Sequence, residues 1–478
     1  MKQVIVIGSG LGGLATGCLL AKEGYAVTLL EQSTRVGGCL QSFYRDGLRF
    51  DTGFHFVGGV DANTHLYDFL HTLDLWSLPW VDVKAQDIYV GGELFRIPCG
   101  KEAWMQTLTQ RFSEQTINLQ IYWQTLEHIA QCPLQETLPY WEQSAWTWLN
   151  DTISDPLLRD VLSGASLLMD LNKERLPLFE YAEIMYSFFS STKRLPHGGQ
   201  DLLDRLLAHF TQAGGRVKCD AEVTRILETD GAVSGVQLAD GERICADLIV
   251  SAINPANTMV LLCEDSKMRG VYRRRVSALT NEEGCFIVNA KLCNTTLSSP
   301  STTAILPLST RKEPVFIHKQ EAPLWDADAE DVQHLMLYFY EDQPAVDVLC
   351  PMKWSSVEKW QDTTCGNRGA DYEAFKEKVA QQCFALVETV LPDFRQQVEK
   401  YWCSTPLTWH NYLKAPNGSA YGVSKDYNNI ATTLLMPQTP LSGLYLTGQS
   451  LVLHGIMGTM ATAIHTVETI KSRHICTH

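Results

Sequence analysis

VIVIGSGLGGLATGCLLAKEGYAVTLLE, running from Val4 to Glu31, is the stretch from which the fold can be read. Four consecutive β-branched residues, Val4 to Ile7, predict a strand buried on both faces, since a half-buried strand would alternate with polar residues. Gly8, Gly10 and Gly13 follow in G-x-G-x-x-G spacing where that strand would meet a helix. The first glycine permits the tight turn, the second lets the backbone approach a pyrophosphate, and the third lets the helix pack close to the sheet. A helix over Leu11–Lys22 would point its N-terminal N–H groups and positive dipole end at the phosphates. A second strand, Ala26–Leu30, ends at Glu31, whose carboxylate is placed to accept hydrogen bonds from ribose hydroxyls. Strand, glycines, helix, strand and acid in that order imply adenine-dinucleotide binding. A βαβ unit without a ligand would leave the clustered glycines unexplained, each costing about 0.5–1 kcal/mol relative to alanine within an element. Glu31 would repel a 2′-phosphate, which disfavours NADP here and leaves FAD and NAD.

A chain of 478 residues is too long for one ordinary core, so two or more domains are expected, built from non-contiguous pieces. Hydrophobic content of 45% with 19% charged residues marks a globular chain, not a disordered one. With 39 basic and 54 acidic residues the net charge is −15, which argues against a nucleic-acid partner. The 14 cysteines are scattered singly from Cys18 to Cys476, with no C-x-x-C pair and no cysteine–histidine cluster at zinc spacing. Free thiols in a reducing cytosol are therefore expected, with no metal site. A strand starting at Gln3 leaves no room for a signal peptide, and no run reaches the ~20 apolar residues that cross a bilayer. A cytoplasmic protein with at most peripheral membrane contact is expected; oligomeric state stays open.

From Gln32 to Gly59 the chain reads QSTRVGGCLQSFYRDGLRFDTGFHFVGG. Gly37–Gly38 and Gly58–Gly59 mark sharp turns, and a strand pair is expected at Gln41–Tyr44 and Leu48–Asp51 around Asp46–Gly47. Arg35, just after the acid-terminated strand, is placed to face a pyrophosphate. A helix is expected over Asn63–Leu75. From about Trp76 to Arg194 aromatics accumulate, with helices expected at Glu102–Arg111, Asn118–Ile129 and Leu157–Met169 and a strand pair within Ile88–Ile97. This region reads as an aromatic core, as the wall of an apolar substrate tunnel, or as a membrane-facing lid.

Leu195 to Pro255 returns to α/β character. An amphipathic helix is expected over Gln200–Gln212, a strand at Val217–Lys218, hairpin segments at Ala221–Glu228 and Ala232–Leu238, and a strand at Ala246–Ala252 that should join the first sheet. Asn257 to about Leu435 reads as α+β, with strands at Gly284–Leu292, Thr303–Leu306, Val315–His318, Leu335–Tyr340 and Val398–Ser404 and a helix over Tyr372–Leu391. SGLYLTGQSLVLHGIMGTMATAIHTVETI, Ser442 to Ile470, gives a strand at Leu444–Thr447 and a glycine-punctuated loop into a helix near Gly458. The fold class is α/β. A discontinuous Rossmann-like domain of residues 1–75, 195–256 and 436–478 carries an inserted α+β substrate domain of residues 76–194 and 257–435.

The chain resembles the FAD-dependent amine oxidase-like group and, within it, phytoene desaturases, carotenoid isomerases and all-trans-retinol 13,14-reductases (retinol saturases). The resemblance is carried by the glycine motif, R-x-G-G at Arg35–Gly38, DTGFHFVGG at Asp51–Gly59 and PHGGQDLLDRL at Pro196–Leu206. The AEVTRI strand, VSAINP and LTGQSLVLHGIMG extend it over the whole cofactor domain. The regions between match in order and length only. L-x-G-Q followed by His454–Gly455 is closer to the saturase and isomerase branch than to bacterial phytoene desaturases. The resemblance implies an amine oxidase-like FAD-binding domain. It implies that Gly8, Gly10, Gly12 and Gly13 hold the FAD pyrophosphate, Glu31 the ribose, and Arg35, Gly37 and Gly38 the diphosphate and flavin approach. Val223 would meet the adenine through its backbone, and Gly448 and Gln449 the ribityl chain. Ile456, Met457 and Gly458 would lie beneath the isoalloxazine, where a helix N-terminus stabilises negative charge on reduced flavin. No cysteine lies in Leu444–Thr459, so non-covalent FAD is expected.

The reaction class follows from the same set. There is no second G-x-G-x-x-G, so NAD(P)H enters only as a candidate external electron donor. Hydride exchange with flavin needs a positioned C–H or C=C in an apolar, water-poor pocket, because the cofactor carries the chemistry. Saturation, desaturation or cis–trans isomerisation of a carotenoid- or retinol-like polyene is the expected activity. Saturation by hydride also needs a proton, and His55 and His454 are the candidate donors; Tyr44, Tyr421 and Lys425 suit packing or surface roles. An amine oxidase remains an alternative, as does a prenyl- or lipid-binding escort that has lost its flavin site. Retention of Arg35–Gly38 and Gly448–Gly458 argues against the escort.

Overall fold

In the computed structural model the strand Gln3–Ile7 is the central member of a five-stranded parallel sheet, ordered Arg216–Lys218, Ala26–Leu30, Gln3–Ile7, Leu248–Ser251, Leu444–Leu446. The structure describes residues 1–293, 313–326 and 331–475; the strand expected at Thr303–Leu306 lies outside them. Val4 and Val6 pack into a core shared with the helices Leu11–Lys22, Gly199–Gln212 and Gly455–Ile475. Ile5 and Ile7 face the opposite way, into a core closed by the antiparallel strands Val223–Thr229 and Ala232–Leu238. Two buried faces explain why this run shows no polar alternation. Three separated pieces of chain therefore build one sheet, and the last strand arrives more than 400 residues after the first.

The second sheet has seven strands, ordered Val398–Ser404, Gly284–Leu292, Ala345–Met352, His334–Phe339, Val315–His318, Ala85–Val90, Glu93–Pro98. All neighbours are antiparallel except Val315–His318 with Ala85–Val90. One face is apolar, with Val288, Leu337 and Val348 packed under the helix Ala370–Glu388. The other face carries Tyr338, Tyr340 and Phe316 and meets an aromatic helical layer containing Trp104, Tyr122 and Tyr181. Stacked or tilted rings, such as Trp104 with Tyr122 at 5.9 Å and Trp141 with Phe179 at 4.5 Å, fill this layer.

The helix expected at Leu157–Met169 is shorter, Pro156–Leu162, followed by a separate turn at Ser166–Leu168. Gly164 breaks it, because a Cβ there would lie 2.4 Å from Cγ2 of Ile88 and the loop must pass against that strand. The C-terminal helix begins at Gly455, one turn earlier than expected. Neither the helix Leu178–Ser190 nor the strand Ala345–Met352 was expected from sequence.

Candidate functional site

The glycines at the end of Gln3–Ile7 make a cradle from both ends of the chain. Gly8 has φ +96° and its N–H donates to the Leu30 carbonyl at 2.9 Å, closing the turn onto the neighbouring strand. A Cβ at Gly13 would lie 2.0 Å from the Gly8 carbonyl oxygen, and one at Gly12 2.8 Å from Cα of Gly448. Gly12 thus lets the C-terminal segment touch the first helix. A Cβ at Gly10, by contrast, would meet nothing within 4 Å and would project into the cradle itself. Gly37 and Gly38 close the cradle's side: the Gly37 N–H donates to Ser9, and a Cβ at Gly38 would lie 3.1 Å from Cα of Gly10.

Glu31 is buried at the end of its strand, accepting hydrogen bonds from the Ser9 N–H at 3.1 Å, the Ser33 N–H at 2.9 Å and the Ser9 hydroxyl. Its backbone bonds to Lys218 and Ala221, which brings Val223 beside it. Arg35 is exposed on the loop between Glu31 and the glycine pair. Gly448 follows the strand Leu444–Leu446 with φ +102°, and the Gln449 side chain donates to the Ala420 carbonyl at 3.3 Å. Ile456, Met457 and Gly458 form the first turn of the long helix, whose free N–H groups are the natural seat for an anion. A Cβ at Gly458 would lie 2.3 Å from the Leu453 carbonyl, so only glycine lets the preceding loop fold back over this turn.

Two other glycine-rich segments lock together. The Arg49 guanidinium bonds Asp51 at 2.8 Å and the Pro196 carbonyl at 2.9 Å, while a Cβ at Gly198 would lie 2.2 Å from the Asp51 carboxylate. This clamp fixes the approach to His55, four residues on. His55 Nε2 lies 3.2 Å from Asp347 on the inner face of the seven-stranded sheet. Asp347 is fully buried and also accepts from Tyr340 at 2.7 Å and Asn289 at 2.6 Å. Asp347 and Asn289 pair directly across neighbouring strands, and their side chains alternate away from the apolar face.

His454 immediately precedes the long helix Gly455–Ile475. Its Nε2 lies 2.8 Å from the Leu168 carbonyl, its Nδ1 3.5 Å from Glu180, and its ring packs on Tyr421 at 4.8 Å. Sequence reasoning placed both histidines near the cofactor segments but missed Asp347, Asn289 and Glu180. No local motif marks these three; only strand register and the buried helix bring them in.

Residues 11–262, more than half of the chain, match the flavin containing amine oxidoreductase family. The chain belongs to that family. Human all-trans-retinol 13,14-reductase is 27% identical, with 99% of this chain and 86% of that one covered. The 4,4'-diapolycopene oxygenase of a Methylomonas species is 24% identical, with 94% of each covered. Among solved structures, an oxidoreductase from Methanosarcina mazei superposes with a TM-score of 0.67 at 18% identity, covering 98% of this chain and 100% of that one. The family is flavin-dependent, the glycine cradle fits a dinucleotide pyrophosphate, and FAD is the cofactor. Among the described residues no helix is long and apolar enough to cross a membrane.

Proposed function

We propose that this protein is an FAD-dependent oxidoreductase acting on C=C bonds of an apolar conjugated isoprenoid polyene, by saturation, desaturation or isomerisation. The observation that carries this reading is the inner face of the seven-stranded sheet. There a buried polar cluster of His55, Asp347, Asn289 and the Arg49–Asp51 pair lies against a wall of aromatic side chains, Tyr338, Tyr340 and Phe56 among them. Such a wall suits a long conjugated hydrocarbon and excludes water. The names of relatives matching along nearly the whole chain, a retinol reductase and a diapolycopene oxygenase among them, support the same substrate class.

FAD, when bound, supplies two-electron hydride exchange, with NAD(P)H the candidate external donor. Gly8, Gly10, Gly12 and Gly13 would hold its pyrophosphate, Glu31 its ribose, and the Val223 backbone its adenine. Arg35, Gly37 and Gly38 would line the diphosphate and flavin approach, Gly448 and Gln449 would lie near the ribityl chain, and Ile456, Met457 and Gly458 beneath the isoalloxazine. His55 is the proton-handling group; both ring nitrogens of His454 already meet protein groups, the Leu168 carbonyl and Glu180. Asp347 orients the His55 ring as a buried carboxylate orients a catalytic imidazole. The five-stranded and seven-stranded sheets support a cofactor domain of residues 1–75, 195–256 and 436–478 and a substrate domain of residues 76–194 and 257–435, while the small sheet of Val57–Gly58, Thr192–Arg194 and Val81–Val83 runs across that division. We place the protein in the cytoplasm, with at most peripheral membrane contact.

The test is anaerobic reduction of the purified flavoprotein followed by addition of retinoids and acyclic carotenoids. Reoxidation of the flavin with a product altered at a C=C bond supports the reading. Reoxidation by no polyene, together with hydrogen peroxide release on adding amines, overturns it.

A further inference from the structure

Three side chains of metal-ligand type, none of them used by the flavin chemistry, meet beside the long C-terminal helix. Glu180 comes from the buried helix Leu178–Ser190, Glu282 from the residues before the strand Gly284–Leu292, and His454 from the loop before the helix Gly455–Ile475. One ligating atom from each lies within 4.8 Å of the other two. Glu180 and Glu282 are more than nine-tenths buried, and each keeps a buried oxygen with no hydrogen-bond partner among the described residues. Both line a small polar cavity with Ser424, whose buried hydroxyl is likewise unpartnered. Asp170 and Asn172, only half-buried, line the same cavity and give it a path from solvent.

The histidine is turned as a ligand. A carbonyl oxygen only accepts, so the Nε2 that meets Leu168 at 2.8 Å carries hydrogen, and Nδ1 of the neutral ring holds a lone pair. That lone pair faces a Glu180 oxygen at 3.5 Å. A charge-assisted hydrogen bond would close to about 2.7–2.9 Å. Two ligands on one tetrahedral zinc, each about 2.0–2.2 Å from it, stand roughly 3.4 Å apart. A far ring N–H given to a backbone carbonyl is also the usual outer bond of a metal-binding histidine.

The surrounding cations do not satisfy the two carboxylates. Lys425 lines the cavity, yet its three donors go to the carbonyls of Val423, Thr433 and Ser450, at 3.2, 3.4 and 2.9 Å. Arg175 is paired with Asp170 at 3.6 Å, and Lys353 offsets Glu283. Two buried carboxylates therefore face one ammonium, and one negative charge is left over. Burial, then the like charges of Glu180 and Asp170, push the Glu282 carboxyl well above the usual range, so the cluster draws positive charge.

We infer that Glu180, Glu282 and Nδ1 of His454 bind one divalent metal ion of the zinc class, with Ser424 or water completing a four-ligand shell. Carboxylate and imidazole without thiolate suit such an ion. The ion acts as a staple, joining the buried helix and the Glu282 segment to the start of the helix Gly455–Ile475. No cysteine–histidine spacing could reveal a set gathered from three distant segments. The site does not depend on the polyene reading.

The test uses the flavin-loaded protein with Zn²⁺ as the probe, because zinc binds such ligands more tightly than Mn²⁺ or Fe²⁺. After dialysis one zinc per chain should remain, and the melting temperature should rise. The X-ray absorption spectrum of the bound zinc should show only oxygen and nitrogen neighbours, at about 2.0–2.2 Å, with the outer-shell pattern of one imidazole. Glu180→Gln and Glu282→Gln keep the side-chain shape and remove a charged ligand. Losing an outer-shell partner alone costs about 10–100-fold, so each variant should bind zinc about 10²-fold or more weakly, with flavin absorbance unchanged. Retention of no zinc overturns the site. So does a shell containing sulfur, which assigns the zinc to exposed thiols such as Cys245 and Cys365, and so does equal affinity in wild type and both variants. The absorption spectrum needs only wild type and decides the matter even where neither variant folds. None of these readouts involves a polyene, so failure of the staple leaves the substrate reading standing.

Discussion

A methyl group added at position 13 and one added at position 10 meet opposite surroundings. Gly13→Ala would set its Cβ 2.0 Å from the Gly8 carbonyl, inside the turn that starts the first helix. Overpacking of this kind costs about 1–3 kcal/mol, and the loss here falls on the fold itself. Gly10→Ala has an ordinary backbone conformation, φ −65° and ψ 179°, with open space around the new Cβ. Its flavin-free form should melt at the wild-type temperature while the purified protein carries little flavin. Full flavin occupancy in Gly10→Ala would remove the cradle as the pyrophosphate site. His55→Ala separates differently: it should keep flavin, yet lose about 10²–10⁴-fold in turnover. Unchanged single-turnover reoxidation by a polyene would count against His55. These glycines were readable in the sequence because each acts through its own backbone. Asp347 was not, because nothing in VDVLC marks it until strand pairing sets it beside Asn289 and opposite His55.

The element that most escaped the sequence is the helix Leu178–Ser190. Its residues Leu178–Glu183 are all buried, so no polar face gave it a helical period. The strand Ala345–Met352 escaped for a related reason, since Asp347 and Pro351 interrupt its β-branched residues. By contrast Gly199–Gln212, with one apolar stripe, was placed to within a residue. The buried helix is tied to the helix His65–Thr72 by His65 Nδ1, 2.9 Å from Glu183. That bond raises the His65 pKa, and burial raises that of Glu183. A raised histidine pKa adds stability that is complete below the unfolded value and is lost as pH rises through the folded value. The raised Glu183 value acts in the same sense at lower pH. The gap in melting temperature between wild type and His65→Asn should therefore be widest at and below about pH 6.5, the unfolded histidine value, and shrink as pH is raised above it. A gap that stays constant across this range would mean that the pair contributes packing alone.

At the scale of the whole molecule, the sheet that holds the cradle is completed by its final tenth. Leu444 and Leu446 lie on the edge strand, Leu451 and Leu453 in the loop, and Met460 and Val467 on the long helix, all nearly fully buried. The similar α/β character of the first, middle and last segments made this discontinuity readable. How the aromatic insertion folds onto the seven-stranded sheet was not, because that packing depends on ring contacts between distant segments. A chain stopped after Leu435 would lose the burial of those six side chains, on the order of 10–20 kcal/mol. That equals or exceeds the ~5–15 kcal/mol by which domains of this kind are stable. The shortened chain should therefore be insoluble or, if soluble, lack a cooperative melt and hold no flavin. The loss should extend to the substrate domain, since Leu453 also packs in the aromatic core beneath that domain's sheet. Far-UV circular dichroism, a thermal melt and flavin absorbance on the shortened protein decide the matter. A cooperative transition with flavin retained would mean that the strand and helix after Leu435 are an appendage, and that the cradle is held by the first 256 residues alone.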